Sequence, residues 1–176
     1  MNPFKELGIV KDHFYFRMIK RTRQLTIHTE CLHKENVWEA AQRYVDAGNK
    51  AIWYVVTPVN FDFVHAESGC RLSRQAWEKT ILKRYKWLEA HGQRIEAHVH
   101  LRVKMHMYDS SEERRKEVKH KITGAAAWLR KNGFRPEKIV FGWWSFNDFA
   151  LETARRLGLE PTRRLDYYFI HDYDLL

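Results

Sequence analysis

One stretch of the chain, residues 95–107, alternates histidines and cations with apolar residues and reads IEAHVHLRVKMHM. This period of two predicts a β-strand with one apolar face and one face of imidazoles and cations. His98 and His100 then point to the same side of the strand, with Cα atoms roughly 6.6 Å apart. Two imidazoles at that separation can converge on one metal ion or one anion. The pair is therefore a candidate ligand set, although a lone histidine is more often a surface or hydrogen-bonded core residue.

Strand-like runs rich in β-branched and aromatic residues recur along the chain. They are predicted at residues 24–30, 51–57, 95–107, 138–144 and 165–172. The second run, AIWYVVT, is apolar throughout, which is typical of a strand buried on both faces of a parallel sheet.

Helices are predicted between these strands, and each ends at a glycine. N-cap signals stand at Asn36, Ser73 and Asn147, and Ser110 with Glu113 forms a capping-box pattern. The segment from 59 to 72 has the character of a loop. Alternating strands and helices predict an α/β fold with a parallel sheet and right-handed crossovers. We expect a single domain over residues 1–176, with 1–23 as an N-terminal arm.

Ligands bind at the carboxyl ends of parallel strands, in open sheets and in barrels alike. His28 and Glu30 follow the first predicted strand, His98 and His100 lie on the third, and His171 on the last. Neutral imidazole and carboxylate are the usual ligands of Zn²⁺. We therefore predict a divalent metal, with zinc expected, on His28, His98 and His100. Glu30 and His171 are the candidate acid–base residues.

Further polar and aromatic residues lie near the same strand ends. Trp143, Trp144 and Asn147 follow the fourth strand, and Arg102 and His106 lie beyond the histidine pair. Arg102 could contact an anionic substrate or solvent, and His106 could be a ligand, a substrate contact or plain surface. We include all five as predicted substrate-binding residues.

The charge is basic, with 31 Lys and Arg against 22 Asp and Glu, a net +9 over 176 residues. This balance favours an anionic partner or is simply a basic solvated surface. The chain has two cysteines, Cys31 and Cys70, and they do not form a CxxC or zinc-finger pattern. So few cysteines predict no disulfide framework, which is typical of a protein in a reducing compartment. No run of about 18 apolar residues predicts a membrane span. With no signal-peptide pattern either, a cytoplasmic location is expected.

Several segments together resemble the polysaccharide deacetylase (NodB-homology, carbohydrate esterase) superfamily. They are RIEAHVH, a strand ending in GWW, NDFALETARRLGLEP and IHD, and the likeness covers most of the chain from Leu25 onward. The resemblance implies a parallel-stranded, incomplete or deformed (β/α)7-type barrel. It also implies metal-dependent removal of acetyl groups from amino sugars. In this family an Asp-Asp pair on the first strand supplies the base and a metal ligand, and two histidines complete the metal site.

The family motifs map onto this chain with two departures. His28 and Thr29 stand where the family has its two aspartates, so Glu30 is the nearest carboxylate and could serve as base or metal ligand. The histidine pair is spaced i, i+2 rather than i, i+4. The 142–144 segment falls on the substrate-groove motif, and His171 falls on the late histidine that acts as acid.

Three hypotheses follow. The first is a metal-dependent hydrolase that removes an acetyl group from an N-acetylated sugar or related amide. The second, favoured by the missing aspartates, is a catalytically degenerate protein of the same fold that binds a sugar or sugar phosphate. The third, nucleic-acid binding through the basic charge, ranks lowest because no nucleic-acid motif is visible.

Overall fold

Six parallel strands and five α-helices make up the ranges that the computed structural model describes, residues 25–101, 111–144, 146–162 and 168–176. The strands are β1 (Leu25–Thr29), β2 (Ile52–Val55), β3 (Arg94–Val99), β4 (Lys138–Phe141), β5 (Glu160–Pro161) and β6 (Tyr168–His171). The helices are α1 (Glu35–Asp46), α2 (Phe61–Ser68), α3 (Arg74–Ala90), α4 (Glu112–Lys131) and α5 (Asp148–Arg156). Three short 3₁₀ turns lie at Pro58–Asn60, Gly142–Trp144 and Asp172–Leu175.

The sheet has the order β5-β4-β3-β2-β1-β6, and every pair of neighbours is parallel. Within the described ranges β5 and β6 form its two open edges, so the sheet is not closed. It is strongly curved, because His28 on β1 and His98 on β3 bring their rings within 5.1 Å although β2 lies between the two strands. The expected fold, an incomplete or deformed (β/α) barrel, is confirmed.

The convex face of the sheet carries the main hydrophobic core. Alternate residues on each strand pack outward under the helices, so that Ile27, Trp53, Ala97 and Ile139 join one cluster with Trp77 of α3. Trp53 and Trp77 are fully buried. The helix predicted from apolar spacing is confirmed as α3, and Trp77, Ile81, Tyr85 and Leu88 of that pattern are buried.

The concave face is mostly polar, although it is equally buried. Its apolar part is a small separate cluster of Ile52, Tyr54 and Val140. The strand registers place Thr26, His28, Glu96 and His98 on the same face, and all four are buried. The AIWYVVT strand was predicted to be buried on both faces, and this is confirmed. Trp53 and Val55 face the convex core, whereas Ile52 and Tyr54 face the concave side. Polar side chains therefore line the inside of the curved sheet, with Thr26 and Glu96 near the starts of their strands and His28 and His98 near the ends.

The predicted helix caps agree with the structure at two positions. Ser73 Oγ accepts the N–H of Ala76 at 3.3 Å, and Asn147 Oδ1 accepts the N–H of Ala150 at 2.9 Å. Two caps were wrong by one or two residues, which is the usual uncertainty of helix boundaries. Helix α1 begins at Glu35 with Lys34 at the cap position, ahead of Asn36.

The N-cap of α4 is Ser111, whose Oγ accepts the N–H of Arg114 at 3.3 Å, so the capping box of Ser110 with Glu113 was wrong. Ser110 itself lies outside the described residues. None of the helices in the described ranges combines the length and apolar character that a membrane span needs.

Segments with weak local patterns differ most from expectation. The stretch 59–72 was expected to be a loop, but it contains α2, which forms because Val64 is fully buried and Phe61 and Phe63 pack against the core. The strand predicted over 138–144 was too long, because β4 ends at Phe141 and Gly142–Trp144 forms a 3₁₀ turn. The two-residue strand β5 was too short to leave a sequence pattern.

Other predictions fall partly or wholly outside the described residues. Strand β3 ends at Val99. Most of the remaining predicted strand, with Arg102 and His106, lies outside the described residues. The same holds for the arm over 1–23 and for most of the predicted start of β6.

Replacing Trp77 by alanine should lower the free energy of unfolding by about 3–5 kcal/mol, because it leaves a large cavity between α3 and the sheet. Guanidinium denaturation monitored by far-UV circular dichroism measures this change. Trp143→Ala is the matched control, since that indole is 64% exposed, and its effect should stay below about 1 kcal/mol. Equal effects from both substitutions would contradict the assigned core.

Candidate functional site

Strands β1, β3 and β6 deliver four histidines to one end of the curved sheet. His28 lies on β1, His98 on β3, His100 just beyond β3, and His171 at the end of β6. Their ring centroids are separated by 5.1 Å (His28–His98), 4.6 Å (His98–His100) and 5.8 Å (His28–His171). The structure therefore brings together the four imidazoles that the strand-end rule selected.

Glu30 lies among these imidazoles. Its Oε1 is 3.0 Å from Nε2 of His100, and its Oε2 is 3.9 Å from Nδ1 of His171. Among the described residues, Glu30, His98 and His100 form a group whose ligand atoms all lie within 4.8 Å of one another. Such a group is compact enough to hold one ion. The carboxylate that was predicted as a catalytic base thus lies where a metal ligand would be.

His98 is the most deeply buried member of the group. It is 0% exposed, and neither Nδ1 nor Nε2 has a hydrogen-bond partner among the described residues. Burial, reinforced by the neighbouring imidazoles, holds the pKa of His98 well below its usual range, so the ring is neutral at physiological pH. A buried polar group without a partner destabilises a fold by about 1–3 kcal/mol. A metal ion would satisfy one of the two nitrogens, and imidazole with carboxylate is a donor set that suits zinc.

His28 lies beside this group rather than within it. Its ring stacks on Phe169 at 5.1 Å and meets the edge of Tyr54 at 5.6 Å. Burial, and then the positive charges that His171 and His100 can carry, lower the pKa of His28 to about 3. His28 is therefore a second neutral imidazole at the bottom of the site, but the compact donor group contains Glu30 in its place.

His100 is held in position by three features that the sequence did not reveal. Its backbone oxygen accepts hydrogen bonds from Asn60 Nδ2 at 3.0 Å and from Lys121 Nζ at 3.2 Å. Its ring stacks on Phe63 with centroids 3.7 Å apart. On another side the ring lies against Gly142, where any Cβ would clash with it. The loop-like pattern of residues 59–72 gives no indication of Asn60 or Phe63, whereas Gly142 belongs to the GWW motif.

Two aromatic rings lie next to these histidines. The Trp143 indole is exposed and lies edge-on to His100 and Phe63 at 5.1 and 5.0 Å. Its backbone has φ = 53°, a left-handed conformation that is strained by roughly 1–3 kcal/mol in a bulky residue and occurs often at functional sites. Tyr173, which is 39% exposed, stacks on His171 with centroids 4.9 Å apart.

The remaining predicted substrate-binding residues are placed less directly. Trp144 belongs to the same turn as Trp143. Asn147 uses its side-chain oxygen to cap α5, and substrate binding by its remaining amide group stays a prediction. Arg102 and His106 lie outside the described residues.

Asp172 is a site residue whose role the sequence did not indicate, although it stands in the IHD motif. It is 0% exposed, and its Oδ2 accepts the backbone N–H groups of Glu30 at 3.1 Å and Cys31 at 2.8 Å. Burial raises the pKa of this carboxyl to about 7, and backbone N–H groups, foremost those of Cys31 and Glu30, oppose the shift. Burial, with the charge of Asp172 next in importance, also raises the pKa of the Cys31 thiol to about 12, which leaves it unreactive.

No protein-family model and no curated protein sequence matches this chain. Solved structures do. A family 4 carbohydrate esterase from Streptomyces lividans in complex with acetate superposes with a TM-score of 0.58 at 10% identity, over 87% of this chain and 81% of that one. The Streptococcus pyogenes deacetylase PplD in complex with acetate gives 0.52 at 16% identity, over 86% and 67%.

A family 4 carbohydrate-esterase pseudoenzyme from Bacillus anthracis also matches, with a TM-score of 0.55 at 13% identity. The match covers 78% of this chain but only 41% of the pseudoenzyme's length. At such low identities these likenesses establish the fold and leave the activity open. The chain has the fold of the family 4 carbohydrate esterases, the polysaccharide deacetylases that its motifs resemble.

Proposed function

We propose that the protein is a metal-dependent hydrolase that removes an acetyl group from an N-acetylated sugar or a related amide. The observation that carries the proposal is the fully buried His98, whose nitrogens meet no partner among the described residues while Glu30 and His100 lie beside it. The fold supports a carbohydrate substrate, since the structures it matches include carbohydrate esterases and a deacetylase.

Glu30, His98 and His100 would hold the ion, with zinc expected from two nitrogen donors and one oxygen. When bound, such an ion polarises the acyl carbonyl and lowers the pKa of water at the site. The chain supplies the positions of its donors: His98 from within a strand, and the other two from the residues that directly follow strands. Burial of His98 and His100 keeps bulk water away from these donors.

His171 would donate the proton that the leaving amine needs. Its side chain is 29% exposed, and its Nδ1 lies 3.9 Å from Glu30, so it lies between the metal-binding group and solvent. The exposed face of Trp143 would pack against the sugar ring. Amide hydrolysis adds the hydroxyl of a water to the acyl carbon and, overall, the remaining proton of that water to the leaving amine. An imidazole at the solvent side of the donor group can deliver this proton.

A second candidate is a catalytically degenerate protein that binds a sugar or sugar phosphate. With Glu30 assigned to the metal, the position of the family's base is occupied by His28 and that of its metal aspartate by Thr29. The match to a pseudoenzyme of the same fold is compatible with this alternative.

Protein purified without chelator should contain about one zinc per chain, and His98→Ala should weaken zinc binding at least tenfold, because a ligand is lost. Mass spectrometry of the metal content and titration calorimetry measure both quantities. His120→Ala is the matched control, since His120 is an exposed histidine on α4, and it should bind zinc like the wild type. Wild-type protein without stoichiometric metal would remove the basis of the proposal.

Gly142→Ala should also weaken zinc binding about tenfold, because the new methyl group pushes the His100 ring out of the donor group. Calorimetric titration with zinc measures the change. Gly124→Ala is the matched control, since its Cβ would also meet a side chain, that of Val59, rather than an imidazole. Unchanged affinity in Gly142→Ala would show that His100 does not bind the ion.

The zinc-loaded protein should release acetate from N-acetylglucosamine oligosaccharides, and His171→Ala should lower kcat by roughly 10²- to 10⁴-fold while zinc content stays constant. A coupled acetate assay gives the rates. Saturable oligosaccharide binding with no acetate release, by wild-type protein that carries stoichiometric zinc, would instead establish the binding-protein alternative.

A further inference from the structure

Asp172 links the last strand to the loop that carries Glu30. It directly follows β6, is 0% exposed, and accepts the N–H groups of Glu30 and Cys31, which lie more than 140 positions away in sequence. We propose that Asp172 is a positioning residue, which holds the Glu30 carboxylate in the metal-binding group through these two hydrogen bonds without touching the metal. This inference rests on the proposed metal-dependent function.

Glu30 needs such support because of its place in the chain. Strand β1 ends at Thr29, so the parallel ladder with β2 and β6 positions residues 25–29 but not Glu30. The N–H groups of Glu30 and Cys31 donate to Asp172 in place of a neighbouring strand. One side-chain oxygen that accepts two consecutive N–H groups fixes the backbone at both residues. The Glu30 backbone is therefore tied to the end of β6.

The same contact fixes Glu30 relative to His171. His171 immediately precedes Asp172, and its own backbone N–H donates to Asp174 at 2.9 Å in the following turn. Because Asp172 bonds the backbone of Glu30, the 3.9 Å separation of Glu30 Oε2 and His171 Nδ1 depends on this link. The other oxygen of Asp172, Oδ1, has no hydrogen-bond partner among the described residues. The hydrogen bonds to Oδ2 therefore offset the free-energy cost of burying this carboxyl.

Glu96 provides a matched control near the opposite ends of the strands, two residues before His98 on β3. It is also a fully buried carboxylate, and its Oε2 accepts two consecutive backbone N–H groups, those of Glu137 at 2.7 Å and Lys138 at 2.6 Å. These donors lie at the start of β4, whereas Asp172 acts where the strands end. Removing either carboxylate should destabilise the fold. Of the two, only Asp172 accepts a hydrogen bond from a residue of the metal-binding group, Glu30.

The test compares Asp172→Ala, Asp172→Asn and Glu96→Ala in the full chain, with zinc affinity from calorimetry and melting temperature from circular dichroism. Asp172→Ala should weaken zinc binding about 10- to 100-fold, the usual effect of losing a group that orients a ligand. Asp172→Asn retains an oxygen that can accept both N–H groups, so its affinity should stay within about threefold of wild type. Glu96→Ala should lower the melting temperature and leave zinc affinity within the same threefold range.

Each alternative outcome has a separate meaning. If the wild type binds zinc and Asp172→Ala binds it equally well, the positioning role alone is overturned. If the wild type binds no zinc, the proposed function and this role are overturned together. Should Asp172→Ala fail to fold, Asp172→Leu keeps the branched shape of the side chain without an acceptor and is expected to show the same loss. A loss in Asp172→Asn as large as that in Asp172→Ala or Asp172→Leu would contradict positioning through the N–H groups and implicate the charge instead.

Discussion

A fully buried imidazole on the concave face of a curved parallel sheet is the constraint on which the site depends. His98 reaches its neighbours because the sheet bends enough for β1 and β3 to bring their inward-facing side chains together across β2. Hydrophobic burial on the convex face, where Trp53 and Trp77 pack, stabilises that curvature. The outer core thus provides the free energy that lets a polar interior with unpartnered groups exist.

The candidate donors divide into two kinds by their relation to the ladder. His98 belongs to β3 and is positioned by strand hydrogen bonds and register. Glu30 and His100 are each the first residue beyond a strand, so the ladder does not position them. Side chains from distant segments do so instead: Asp172 bonds the backbone at Glu30, and Asn60 and Lys121 bond the backbone oxygen of His100. Precision at these two positions depends on tertiary contacts.

This division bears on how a deacetylase fold could work without its usual aspartates. The first strand presents His28 and Thr29 at the family's motif positions, and the carboxylate has moved one residue further, to Glu30. Such a shift turns the side chain toward a different neighbour and removes it from the ladder. The hydrogen bonds from Glu30 and Cys31 to Asp172 hold the displaced carboxylate against His100. The proposed metal centre is therefore similar to that of the family in its place and donor chemistry, with a different origin for its carboxylate.

The sequence by itself determined the alternation of strands and helices, and from it the parallel sheet and the strand ends at which His28, Glu30, His98, His100 and His171 meet. Periodicity and capping carry that information because they reflect contacts between residues close together in the chain. Only the tertiary structure decided that Glu30 joins His98 and His100 in the compact group while His28 lies beside it. The same is true of α2, which forms because Val64 is buried, and of Asp172, Asn60, Phe63 and Gly142 as supports of the site. These outcomes depend on the curvature of the sheet and on contacts between residues tens to more than a hundred positions apart, which no local pattern records.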